Sequence, residues 1–345
     1  MRWSYNIERS RSVAIWLFAV ALIVFGMVIV GGATRLTGSG LSITEWKPIM
    51  GSLPPLSAHA WDVAFAKYRR IPQYRALNQG MTLAQFKFIF GWEWTHRLLG
   101  RLLGLVFFVP MVVFLVIRRI PRRLIWRCLV LLALGGLQGF IGWRMVASGL
   151  SDRVFVAPGW LATHLGLAML TFCFAIWTGL EAWFGRGHRL SGVETRWRGW
   201  ATGITALIFF QILLGALVAG NHAGLIYNDW PLMNGKLFPT DYAHGGLWST
   251  LAHSQAAVQF NHRLVAYITF VVAVGFALAV AASRRFPPQV KIMAGVLAGA
   301  VTMQVVLGIA TLMMVAPLGM SLVHQIWAVV VLTTALALAW RIRRT

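Results

Sequence analysis

The sequence predicts an all-α integral membrane protein, with eight transmembrane helices forming two pseudo-symmetric four-helix bundles. Three observations carry this expectation. Of the 345 residues 58% are hydrophobic, an apolar load that a soluble domain would leave exposed as large patches. Eight apolar runs are each long enough to cross a bilayer core. Motifs in residues 1–190 recur in residues 191–345, the mark of an internal repeat.

The spans fall near 13–33, 93–117, 124–145, 160–183, 199–219, 258–281, 290–314 and 319–341. The first follows MRWSYNIERSRS, which contains Glu8 and has no small-residue cleavage site. It is expected to be a cytoplasmic lead-in to a retained helix, and too short for an organelle transit segment. The second span opens on Glu93-Trp94-Thr95-His96 and ends at Arg118-Arg119; the third follows the basic cluster through Arg127. The fourth carries His164 near its start, and the fifth follows Arg196 and Arg198. The sixth contains Gln259 and His262, the seventh follows Arg284-Arg285, and the eighth opens near His324.

The formal charge is +22, yet the basic residues sit in short clusters between apolar runs. That pattern argues against nucleic acid as a partner and for orientation in a membrane. One side receives Arg2, Arg9, Arg11, the cluster 118–127, the cluster 186–198, then Arg284, Arg285, Lys291 and Arg341, Arg343, Arg344, in all 18 of the 31 basic residues. The other side receives ten, seven of them within 35–90. Both termini are therefore expected in the cytoplasm. Cys128 and Cys173 fall inside apolar runs at different depths, as small buried hydrophobes rather than a disulfide.

The long connections, 34–92 and 220–257, lie on the outer side, where loops of that length are usually functional. The first is rich in aromatics, including Trp46, Trp61, Phe65, Tyr68, Phe86 and Phe90. Ser57 is placed to cap a short amphipathic helix through Arg70, and Thr82 a second through Trp92. Both are expected to lie on the outer interface as a lid. A plain aromatic belt accounts for part of the same composition.

The repeat is concrete. Gly40-Leu41 with Glu45-Trp46-Lys47-Pro48 is echoed by Gly224-Leu225 with Asp229-Trp230-Pro231. His96-Arg97-Leu98 is echoed by His262-Arg263-Leu264, and Gln138 with Gly142 by Gln304 with Gly308. His164 and His324 open the last span of each half. With four spans per half, both copies enter the membrane from the same side.

Of nine histidines, His59, His188, His222, His244 and His253 fall in loops, where a solvated role is the simplest reading. His96, His164, His262 and His324 instead lie one to two turns inside the outer ends of even-numbered spans. A lone polar ring at that depth would be a hydrogen-bonding residue of the bundle interior. Four at matched depth, two per half, point to ligands of a cofactor held between helices. A small metal site would add cysteines or carboxylates, whereas two imidazoles suit haem iron. The residues four positions on are Gly100, Ala168, Ala266 and Ala328, small enough for a flat macrocycle to approach the backbone, although small residues also serve helix packing. Arg97 and Arg263 stand where they can pair with haem propionates or snorkel to outer headgroups. Glu93 lies one turn before His96, where the second half has Gln259. A carboxylate beside one site and an amide beside the other suggest a reactive half and an electron-handling half.

Gly31-Gly-Ala-Thr-Arg-Leu-Thr-Gly-Ser-Gly-Leu-Ser42, Glu45-Trp46, Pro48, Glu93-Trp-Thr-His96-Arg97, Gln259-Phe-Asn-His262-Arg263 and His324-Gln325 together resemble the haem A synthase family over essentially the whole chain. The resemblance implies oxidation of the C8 methyl of haem O to a formyl group, through an alcohol, giving haem A for respiratory oxidases. It implies a resident haem b on His262 and His324, and a substrate haem flanked by His96 and His164 with Glu93 beside it. Haem O synthase, oxidase assembly factors and a second copy of the chain are the partners it suggests. Many bacterial members carry a cysteine pair in outer loops. This sequence has none there, and so resembles the cysteine-less branch shared by mitochondria and some bacteria. With no transit segment, a bacterial inner membrane is expected. The alternative is a di-haem bis-histidine cytochrome that relays electrons without altering haem; a carboxylate in one half only favours the enzyme.

Overall fold

The computed structural model describes residues 9–47, 50–185, 195–243 and 245–343. Among these residues the helices run in the order α1 (Arg11–Leu36), α2 (Ala58–Tyr68), α3 (Pro72–Leu77), α4 (Leu83–Val116), α5 (Arg122–Ala147), α6 (Pro158–Phe184), α7 (Thr195–Gly220), α8 (Leu247–His253), α9 (Gln255–Ala282), α10 (Pro288–Met313) and α11 (Leu318–Ile342). All but α2, α3 and α8 are long and apolar enough to cross a bilayer, which matches the eight expected spans. Helices suit that environment because they satisfy their own backbone polar groups where no water can. The chain is a multi-pass membrane protein. Proline marks several of its helix starts: Pro121, Pro287 and Pro317 occupy N-cap positions, fixing an extended entry and stopping the preceding segment.

The chain folds as two compact units, Met1–Trp183 and Phe184–Thr345. The boundary expected between 190 and 191 lies outside the described residues, as do His188 and His244. In the first unit α1 runs along α4. Trp16 donates its indole N–H to the Val106 carbonyl at 2.9 Å, and the Thr34 hydroxyl reaches the Trp92 carbonyl at 3.3 Å. At the other end of α6, Glu181 pairs with Arg123 at 2.8 Å and Arg127 at 3.1 Å, both on the first turns of α5. In the second unit Trp327 of α11 donates to the Ala300 carbonyl of α10 at 2.8 Å. Asn228 in the long connection donates to the Leu312 carbonyl at the end of α10, at 2.9 Å. Cys128 and Cys173 are free thiols on α5 and α6.

The connection between α1 and α4 carries a small core of its own. Leu41, Phe65, Tyr68, Ile71, Phe86, Ile89 and Phe90 are buried together, with Phe65 and Phe86 stacked at 4.8 Å. The Tyr68 hydroxyl donates to Gln73 at 3.0 Å and accepts from Asn78 at 2.6 Å. Much of the aromatic content is thus a packed cluster rather than a belt, while Trp46 and Phe88 stay exposed. Ser57 caps α2 as expected, accepting from the Ala60 amide. The separate lid helix expected from Thr82 to Trp92 is instead the beginning of α4. Thr82 caps it reciprocally with Gln85, and the segment before Glu93 has no proline and a single glycine, Gly91. One glycine costs about 1 kcal/mol in a helix and a good cap returns about as much, so the helix runs on unbroken into the span.

Candidate functional site

Each of the four membrane histidines leans on a glycine of another helix in its unit. A Cβ added to Gly31 on α1 would stand 3.0 Å from Cε1 of His96 on α4, and one on Gly142 of α5 would stand 2.9 Å from Cε1 of His164 on α6. In the second unit the same pairing joins Gly215 of α7 with His262 of α9 at 3.2 Å, and Gly308 of α10 with His324 of α11 at 3.0 Å. Real Cβ contacts are rarely this short, so the glycines create the space in which the rings lie. His164 is also close enough to His96 to interact with it electrostatically, and His262 stands likewise to His324. The structure therefore brings the four predicted histidines together as two pairs, one in each unit.

Three of the four rings have a glutamine partner one helical turn before the glycine. Gln138 Nε2 lies 3.1 Å from His164 Nδ1 and donates to the His164 carbonyl at 3.0 Å. Gln211 stands in the same relation to His262, at 3.0 Å and 2.9 Å, and Gln304 to His324, at 3.2 Å and 3.2 Å. The side-chain oxygens of all three glutamines are buried without a partner, and so is Nδ1 of His96. On α1 the position four before Gly31 is Met27. The repeat had exposed Gln138 with Gly142 and Gln304 with Gly308, but not Gln211, Gly215 or Gly31. The signal was present: Gln-x-x-x-Gly puts both residues on one helix face and occurs at 138, 211 and 304, with Met-x-x-x-Gly at 27.

Those unpartnered atoms bear on what the rings can hold. An imidazole that gives Nε2 to a metal carries its proton on Nδ1 and needs an acceptor there. Turning each glutamine amide over would present its unused oxygen to that proton in exchange for the bond that Nε2 makes to the histidine's own carbonyl. Among the described residues no three His, Cys, Asp or Glu side chains converge. Two imidazoles suffice for an iron whose other four positions a porphyrin fills. The residues present fit bound haem.

Glu93 and Arg97 grip the chain that follows α1. Arg97 Nη2 donates to Glu93 Oε1 at 2.6 Å and to the Ile43 carbonyl at 2.8 Å, and Nη1 donates to the Glu45 carbonyl at 3.1 Å. Glu93 Oε2 accepts from the Ser42 hydroxyl at 2.7 Å and the Ile43 amide at 2.8 Å. In the second unit Arg263 donates to Gln259 Oε1 at 3.0 Å, to the Tyr227 carbonyl, and to the Asp229 carbonyl at 3.1 Å. Gln259 Nε2 donates to the Ala223 carbonyl at 2.7 Å and the Ile226 carbonyl at 2.5 Å. Glu45 and Asp229 are equivalent in the repeat, so each arginine binds carbonyls at the same offsets. The carboxylate stands where the loop presents donors, and the amide where it presents carbonyls. No hydrogen bond joins Glu93 to His96, whose Nδ1 is unpartnered. Gly100 faces Met27, whose methyl carbon lies 3.4 Å from where a Gly100 Cβ would be.

Outside the spans, Lys47 and Lys67 flank Glu45 at 2.8 Å and 2.6 Å. Their hydrogen bonds hold its carboxyl below the usual carboxylate range. In the second connection, the Tyr227 hydroxyl bonds Asp241. The amides of Asn234 and Gly235 bond Asp229 and keep its carboxyl low.

The chain is similar to known proteins over nearly its whole length. The family model described as cytochrome oxidase assembly protein matches residues 14–336. A heme A synthase of Caulobacter sp. strain K31 is 61% identical over 98% of both chains, and one of Caulobacter vibrioides is 57% identical over 98% of both. A heme A synthase of Maricaulis maris is 48% identical, covering 99% of this chain and 98% of its own. With paired histidines in each four-span unit and full-length similarity of this degree, the chain belongs to the haem A synthase family of cytochrome oxidase assembly proteins.

Proposed function

We propose that the protein is a haem-modifying oxidoreductase that converts the C8 methyl of haem O to a formyl group, through an alcohol, to supply haem A to cytochrome oxidase. The observation that carries this reading is the pair of buried histidines in each unit, seated on glycines, in a chain similar to heme A synthases over nearly its full length. His262 and His324 hold a resident haem b, and His96 and His164 hold the substrate haem O. The two units are copies of one four-helix design. The protein sits in a bacterial inner membrane with both termini cytoplasmic, in accord with 18 of 31 basic residues on that side.

The haems supply the redox chemistry; the chain's own residues bind, orient and manage protons. The histidines fix iron position, and Gln138, Gln211 and Gln304 set ring orientation from behind. Arg97 and Arg263 lie beside the ligands, placed for propionates while holding the loops. Glu93 serves as proton acceptor. It takes up a proton by releasing Arg97, Ser42 or the Ile43 amide, so protonation and the hold on residues 42–45 are coupled. Expression with and without a haem O source, followed by pigment extraction and chromatography, tests the function. Haem A is expected only when haem O is supplied. Unchanged haem in both sites would instead make the protein an electron-relaying cytochrome.

A further inference from the structure

We propose that His96 is the labile ligand among the four, because Met27 occupies the place where the other three rings have a glutamine. The first-unit iron site then opens to a small exogenous ligand while the second-unit site stays closed. This rests on the reading that His96 and His164 hold a haem iron.

The four sites are otherwise built alike: a ring, a glycine within 2.9–3.2 Å of it as a Cβ would measure, and one residue a turn earlier on the glycine's helix. Only that last residue differs. At His164, His262 and His324 it is an amide whose nitrogen lies 3.0–3.2 Å from Nδ1 and 3.4 Å from Nε2, and whose oxygen, with the amide turned over, can accept from the ring. At His96 it is a thioether, a weak acceptor, and Nδ1 is buried with no partner. Glu93, the nearest carboxylate in sequence, is fully engaged with Arg97, Ser42 and Ile43. A partner on Nδ1 raises the basicity of a ligating imidazole and fixes its plane, and losing such a partner typically weakens metal binding about 10–100-fold. The first unit thus pairs one supported ligand, His164, with one unsupported ligand, His96. The second unit has two supported ligands. The place a released ring would vacate lies against Gly31 on α1, and it is there that a diatomic molecule or water would enter.

Full-length protein in nanodiscs, with haem b in the second site and titrated with haem O until the first fills, is reduced and exposed to carbon monoxide. Wild type is expected to bind one carbon monoxide per two haems. Met27→Gln should keep both haems but bind carbon monoxide at least 10-fold more weakly, and Gln211→Met should open the second site so that both haems bind it. Met27→Leu, which keeps the apolar shape, should behave as wild type and controls for folding. Wild-type binding by Met27→Gln with both haems present, or refusal by both haems of the wild type, would overturn the proposal. His96→Ala and His164→Ala report separately on the underlying reading. If neither changes haem stoichiometry or the first-site spectrum, the ligand assignment itself is wrong.

Discussion

Cε1 of His164 lies so near the backbone of Gly142 that a methyl group there would stand 2.9 Å from it. No flexible side-chain end can yield, because the obstacle is the imidazole itself. Gly142→Ala should therefore push His164 aside and reduce haem binding in the first unit. Gly308→Ala should do the same to His324, whereas Gly215→Ala, with 3.2 Å to His262, should be the mildest. Haem content per protein measures this ranking, and a larger loss from Gly215→Ala than from Gly142→Ala would refute it.

The two pairs should divide the labour. Replacing His262 or His324 by Met or Ala should remove or shift the resident haem b spectrum, because the iron loses an axial ligand. The same changes at His96 or His164 should leave that spectrum largely intact while product formation falls. Equal loss of haem b from both sets of variants would contradict specialised units.

Two carboxylates bear on one loop, and their surroundings rank them. Glu45 meets Lys47 and Lys67 in the open, with 42% of its side chain exposed. Such exposed pairs are worth ~1 kcal/mol or less. Its depressed carboxyl stabilises the fold above the unfolded-state value, and this is lost as pH falls through the lower folded value. Glu45→Gln should therefore change loop stability little at neutral pH and reduce its sensitivity to acid. Glu93 is only 4% exposed and paired with Arg97, where removing one partner costs about 3–5 kcal/mol. Protease cleavage within residues 37–57 against pH, compared for the two variants, checks the contrast.

Glu93→Gln is the sharper test of Glu93. Three donors face this carboxylate, and an amide must turn its own N–H groups toward at least one of them. The variant should bind haem O, keep haem b, make little or no haem A, and lose protection of residues 42–47 in hydrogen exchange. Near-normal haem A would exclude proton transfer through Glu93. Full protection with lost activity would separate its proton role from its hold on the loop.

Topology is checked by reporters. A reporter fused after Thr345 should behave as cytoplasmic, and one inserted beside Lys236 as external. A cytoplasmic signal at Lys236 would reverse the orientation of both histidine pairs.

The spans were legible because lipid demands long apolar runs, and the four histidines because polar rings at depth stand out against Val, Leu and Ala. The histidine partners were not. Gly31 and Gly215 look like any packing glycine until a ring is found against them, and Met27 looks like core. Glu93 next to His96 in sequence suggested a shared site, yet its side chain turns to Ser42 and Ile43, contacts made across about fifty residues of chain. The continuity of α4 was hidden because the aromatic segment before Glu93 suits an interfacial helix and the start of a spanning one equally well.

That continuity has a mechanical side. At about 1.5 Å per residue the 34 residues of α4 reach ~51 Å, well beyond a hydrocarbon core of about 30 Å. The excess forms a mast around which Phe65, Tyr68 and their neighbours are packed, and His96 lies between that mast and the bend-prone Pro110. His96 and the packed outer segment thus share one unbroken helix, and the ring rests on Gly31. Through Glu93 and Arg97 the same helix also holds residues 42–45, within one turn of the ring.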